Sequence, residues 1–151
     1  MATVEVKGFA KLDRALKELP LKVQNRIMGK VVRSGSKVVL KEAKALVPKH
    51  TGRLKKSMTI KRLRKSKTKG RIVDSVTFKE DGWYAHLIEF GHQLVKGGRL
   101  GGSGAGKVIG HIAAQPFLRP AFDKNKKRIL DIMKKTFADE LVKNKDNIKA
   151  K

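Results

Sequence analysis

The chain has 151 residues, 40% of them hydrophobic and 33% charged, with 37 basic against 13 acidic side chains for a formal charge of +24; this fits one domain with a modest core. There is no cysteine, and the four histidines (His50, His86, His92 and His111) stand singly, never at a ligand spacing such as H-x-x-x-H, which argues against disulfide, thiolate and zinc chemistry. No apolar run approaches the ~20 residues of a bilayer span, and residues 1–29 scatter Lys, Asp and Glu among their apolar positions, unlike a signal peptide, so the expected product is cytoplasmic and free of membrane.

Phe9, Leu12, Leu16 and Leu19 recur at the spacing of one helical face, and Pro20 ends that short helix. From Leu21 the apolar positions Val23, Ile27, Val31, Val38 and Leu46, with Gly35 and Ala45 between them, keep helical spacing to Val47-Pro48, where the residue before proline is driven out of the helical region. Gly29 and Gly35 each cost this main helix roughly 1 kcal/mol; they read either as plain lost stability or as room for another backbone. Pro48 to Gly52 has turn composition. The run Ser57 to Leu63 then alternates, and Arg71 to Phe78 is rich in β-branched residues, which predicts an antiparallel pair with a basic tip over 61–70.

Asp81-Gly82 signals a tight turn, and Trp83 to Phe90 reads equally as a strand or as two helical turns closed by Gly91. Seven of the 14 glycines fall between His92 and Gln115, so 92–115 is expected to be a long glycine-rich loop without an element of its own, and loops of that length are functional or disordered. Pro116-Phe-Leu-Arg-Pro120 opens a last helix with the apolar face Ala121, Phe122, Ile129, Ile132, Met133, Phe137 and Leu141. The expected organisation is a single α+β domain over 1–141 and a polar tail over 142–151.

The charge is unevenly spread. Residues 41–73 hold 13 basic and 1 acidic side chain, half of the excess, whereas 74–118 hold 4 of each. The basic segment calls for an anionic neighbour, nucleic acid or an acidic protein surface, and it repels other copies of the chain. The neutral stretch is the place to expect self-contact. Lys61, Arg62, Arg64, Lys65, Lys67 and Lys69 are the candidate partner or DNA contacts; the alternative is a solvated tip.

Catalytic constellations are weak, and no enzyme is expected. Gly101 to Lys107 satisfies G-x-x-x-x-G-K, but Val108 stands where a magnesium-binding Ser or Thr belongs and no helix follows. The adjacent pairs Glu80-Asp81 and Asp139-Glu140 do not face one another across a substrate, and no serine sits in a nucleophile elbow. Glu89 lies in an apolar run, three residues after His86; it reads as a surface carboxylate paired with Lys or as a buried or interface carboxylate that fixes assembly. No cofactor is called for. Aromatics do not interleave with the basic run, so DNA binding rests on charge alone, without stacking platforms.

In order, the chain carries Leu12 to Leu19-Pro20, then Ala43-Lys-Ala-Leu-Val-Pro48, then Thr51-Gly52-x-Leu54 with Ser57, then Tyr84-Ala-His-Leu-Ile-Glu89-Phe-Gly91, and finally Pro116-Phe-Leu-Arg-Pro-Ala121. This succession resembles the gene-product-ten-like tail-component family of long-tailed bacteriophages, over roughly Leu12 to Phe137. His92 departs from the threonine usual after that glycine. The resemblance implies an α+β protomer, long N-terminal and C-terminal helices packed on an antiparallel sheet, with the basic hairpin and the Gly-rich loop projecting. It implies a structural virion protein that forms a homo-oligomeric ring of six subunits in the tail or neck, completes the tail and helps join it to the head. Its neighbours would be neck or head-closure proteins and tail-tube or terminator proteins, close to the DNA channel. The alternatives are a tail terminator and a free, sequence-independent DNA-binding accessory protein. Glu89, Phe90, Gly91, Gly101, Gly104 and Gly106 are the candidate inter-subunit contacts.

Overall fold

A computed structural model describes residues 14, 16, 17, 19–48, 51–64, 71–96 and 106–149. The fold is α+β. Helix α1 (Leu21–Leu46) leads through a short α2 (Arg53–Ser57) into strands β1 (Met58–Arg62) and β2 (Asp74–Phe78); a 3-10 turn (Glu80–Gly82) precedes α3 (Ala85–Phe90), and strands β3 (His92–Lys96) and β4 (Lys107–Ile112) lead to the long α4 (Leu118–Lys149). Each strand pair is its own two-stranded sheet. The backbone bonds Leu63 N to Val73 O and Lys79 N to Ser57 O frame β1 and β2 at opposite ends, in the antiparallel sense.

Both long helices form for the reason their sequences advertise. On α1 the buried positions are Gly29 and, at four- and eight-residue steps, Ile27, Val31, Gly35 and Ala43, followed by Val47 just past its end; on α4 they are Ala121, Asn125, Ile129, Phe137 and Leu141. These four- and eight-residue steps keep one stripe of each helix inward. Helix α1 stops at Leu46, two residues before Pro48. The expected helix around Leu12 lies mostly outside the described residues, although Arg14, Leu16 and Lys17 are helical.

The chain divides into two compact units, each assembled from separated segments. Unit 1 comprises the segments up to Val38, Ile60–Ser75 and from Asn125 onward; unit 2 comprises Val39–Thr59 and Val76–Lys124. In unit 1 the core is Leu19, Ile27, Val31, Phe137 and Leu141, with Leu16, Val23, Met28 and Met133 against it. In unit 2 it is Ala43, Val47, Leu54, Met58, Ala85, Phe117 and Ala121, flanked by Val39, Val76, Phe78, Tyr84 and Ile88. Phe78 meets Phe117 edge to face, their ring centroids 6.2 Å apart.

Two open readings are resolved and two expectations change. The stretch 83–90, open between strand and helix, is helical from Ala85. The region 92–115 is not a loop throughout: β3 and β4 pair antiparallel, His92 with Ile112 through Lys96 with Lys107, and Ile109 bulges between Gly110 and Val108. Glycine density hid this ribbon, because only five or six residues on either side of the glycines carry the pairing. The polar tail is helical as far as Lys149. Finally, the room at Gly29 and Gly35 receives side chains, not a backbone: Arg62 at the first, Met133 and Ile129 at the second.

Candidate functional site

In unit 1, the basic hairpin begins with a carboxylate held between two guanidinium groups. Asp74, its side chain fully buried, receives Arg62 Nε at 2.7 Å on Oδ1 and Arg33 Nε at 3.0 Å on Oδ2. Arg62 Nη2 also donates to the Gly29 carbonyl, and Arg33 Nη1 donates to the Ile60 carbonyl at 3.0 Å. Each of these four donors has its acceptor within the unit, and both carboxylate oxygens are paired, which is how a buried carboxylate is tolerated. Arg62, a candidate partner contact, is thus bonded within the unit to Asp74 and to the Gly29 carbonyl. Lys61 and Arg64 lie exposed at the described base of the hairpin. Lys65, Lys67 and Lys69 lie outside the described residues.

In unit 2, Glu89 is 7% exposed and bonds three backbone amides: Phe117 N at 2.8 Å and Leu118 N at 3.0 Å donate to Oε2, and Arg119 N at 3.2 Å to Oε1. These are the amides that the start of α4 leaves without intrahelical acceptors, and the next residue, Pro120, has no N–H to satisfy. A carboxylate placed there also opposes the positive end of the helix dipole. Glu89 is thus a buried cap supplied from 28 residues away, not a surface partner of Lys. The next residue but one, Gly91, has φ +72°, and a Cβ there would lie 2.6 Å from the Ile112 carbonyl oxygen. Only glycine turns α3 into β3 at this place.

The outer side of α3 is apolar. A cleft of about 630 Å³ is lined by Phe78, Trp83, Ala85, Phe90 and Leu118 among others, with His86, Glu89 and Arg119 at its polar points. Trp83 is 71% exposed and Phe90 78%. The ribbon beyond Gly91 exposes Leu94, Val95, Val108, Ile109 and Ile112. Of the expected inter-subunit residues, Glu89 faces inward, Phe90 outward, and Gly106 is half-buried just before β4; Gly101 and Gly104 lie outside the described residues. Lys107 opens a strand, so no helix N-terminus follows the glycine run.

Sequence reasoning missed Asp74 and Arg33, Trp83, and the apolar ribbon. The single acidic residue among the β-branched positions of 71–78 was the available signal for Asp74. Among the described residues no group of three or more His, Asp or Glu stands ready for a metal ion, and no helix is long and apolar enough to cross a membrane.

Residues 10–91 match the profile of the family described as "Bacteriophage HK97-gp10, putative tail-component", more than half of the chain. The chain belongs to this family. It is accordingly a phage tail component and a part of the virion. No curated protein and no solved structure matches the chain. The HK97-gp10-like match ends at Gly91, so it includes the capping Glu89 and stops where the ribbon begins.

Proposed function

We propose that this tail component is a ring-forming structural protein at the head-tail junction, a tail-completion or neck subunit whose six-copy ring finishes the tail and helps join it to the head. The observation that carries the reading, beside family membership, is the division of the surface. The segments of unit 1 hold 25 basic and 8 acidic residues, those of unit 2 12 and 5, whereas nine of the eleven exposed large hydrophobic residues among the described ones belong to unit 2. A subunit within a stack of rings needs two kinds of contact, to its own copies and to unlike neighbours. An apolar surface serves the first, because it adds no charge to a chain that already repels itself. A strongly basic surface serves the second, toward acidic faces of an adjacent neck or tail-tube ring, with Lys61 and Arg64 at the base of the basic hairpin.

The test is the native mass of the purified protein by light scattering after size exclusion, at low and high salt, with and without duplex DNA. The expected result is a hexamer-sized species without DNA, favoured by salt because screening weakens the repulsion between copies. A monomer whose mass shifts only with DNA, and less so as salt rises, would overturn the reading in favour of sequence-independent DNA binding.

A further inference from the structure

The β3–β4 ribbon and the Trp83–Phe90 cleft are two exposed apolar features of unit 2 among the described residues, one projecting and one concave. Five apolar side chains project from the ribbon, and an isolated two-stranded ribbon is at best marginally stable in water. Ile109, the extra residue of the bulge, is 59% exposed. The cleft is concave, with apolar walls, and no ribbon residue is among those that line it. Among the described residues, a chain's own ribbon therefore leaves its own cleft open.

Charge selects the occupant. Of the four acidic residues in 74–118, Asp74 and Glu89 are bound internally, which leaves Glu80 and Asp81; both are exposed and line a second hollow that shares Trp83 with the apolar cleft. On the ribbon, Lys96 and Lys107 face each other across the ladder at the end away from Gly91, both exposed. Like charges directly opposite on a ladder are unfavourable unless a counter-charge covers them. The ribbon thus offers apolar residues and then a lysine pair; the cleft offers apolar walls, and the hollow that adjoins it at Trp83 offers an acidic pair.

We infer that the β3–β4 ribbon of one copy seats in the Trp83–Phe90 cleft of the next, with Lys96 and Lys107 brought to Glu80 and Asp81. Donor and acceptor are different surfaces of the same chain, so the contact is heterologous, and repetition closes a ring when the rotation between copies permits. This rests on the ring reading and names the surfaces that would build it.

Because the chain lacks cysteine, the docking can be read by cross-linking. Phe90→Cys and Ile109→Cys are made in separate full-length chains, one carrying a mass tag, and both are checked for wild-type circular dichroism; both positions are exposed, so the fold is expected to persist. On mixing and oxidation, the predominant product expected is the mixed dimer joining position 90 to position 109. A chain carrying both substitutions is expected to give a ladder of multimers. Dimers joining like positions, or no cross-linked product, overturn the docking. The wild-type native mass separates the two levels: an oligomer without mixed cross-links retires this contact and leaves the ring, whereas a monomer without them retires both.

Discussion

The two units of this chain distribute polarity in opposite ways. Unit 1 buries the carboxylate of Asp74 between the partly exposed Arg33 and Arg62, and carries most of the chain's excess positive charge in its segments. Unit 2 builds its interior from Phe117, Leu54, Met58, Val47 and three alanines, caps α4 with Glu89, and leaves Trp83, Phe90 and the ribbon's aliphatic residues to solvent. Stability and surface are thus made from different materials in the two places. A net positive surface keeps copies apart, and apolar side chains can meet a second copy only where that repulsion is weak. Among the described residues the weakly charged region and the exposed apolar residues coincide, and the same physics explains why the strongly basic unit exposes few large apolar side chains there.

The comparison is broken most severely at Phe117. It is fully buried and meets Phe78 edge to face, so Phe117→Ala is expected to cost about 3–5 kcal/mol from lost transfer energy and the cavity left behind. Urea unfolding reads this as a lower midpoint, and a loss below about 1 kcal/mol would show that unit 2 collapses around the gap instead of depending on the ring. Asp74 is the matching test in unit 1. Asp74→Ala leaves two partly buried guanidinium groups without their carboxylate and is expected to cost about 3 kcal/mol. Because the carboxylate is out of water, the loss is expected to persist in high salt, where a surface pair would fade. Arg62→Glu is expected to destabilise as well; a stable Arg62→Glu protein would favour the reading of that residue as a partner contact.

How far the sequence disclosed this architecture follows from the range of each interaction. Helices α1 and α4 were legible because their apolar period repeats over many turns and Pro48, Pro116 and Pro120 mark their limits. The pair β1 and β2 was legible from alternation and β-branching. The ribbon was not: its apolar residues face solvent, so they show no inside-outside rhythm, and the flanking glycines dominate the local composition. At the candidate site, Glu89 was conspicuous as a carboxylate in an apolar run, but the amides it caps lie 28 to 30 residues onward. Nor does local sequence bring Arg33 to Asp74, 41 positions apart, since that meeting depends on tertiary folding.

A sharper probe of unit 2 is Glu89→Gln. The amide oxygen still accepts from part of the α4 terminus, but the negative charge and one acceptor oxygen are lost, so about 1–2 kcal/mol of stability is expected to go. Glu89→Ala, which leaves three amides without their acceptor, is expected to lose more. Hydrogen exchange at Leu118 and Arg119 distinguishes a cap from a general packing role: faster exchange confined to this first turn is the expected signature. Uniform acceleration across unit 2 would assign Glu89 to the core instead.

The smallest effect separates two glycines of the same helix. At Gly35 a Cβ would approach Met133 Sδ at 2.9 Å and Ile129 Cγ2 at 3.1 Å. Methionine is unbranched and yields readily, so the crowding is opposed by the ~1 kcal/mol that alanine gains over glycine within a helix. At Gly29 the Cβ would meet the Arg62 guanidinium, which Asp74 and the Gly29 carbonyl itself hold in place. That group cannot retreat without giving up charged hydrogen bonds. Gly35→Ala is therefore expected to leave the urea midpoint nearly unchanged, and Gly29→Ala to lower it by the equivalent of about 1–2 kcal/mol. In an Asp74→Ala background the guanidinium loses its anchor, and the penalty at Gly29 is expected to shrink while that at Gly35 stays the same. Equal responses of the two glycines in both backgrounds would mean that the ionic cluster does not hold Arg62 against α1.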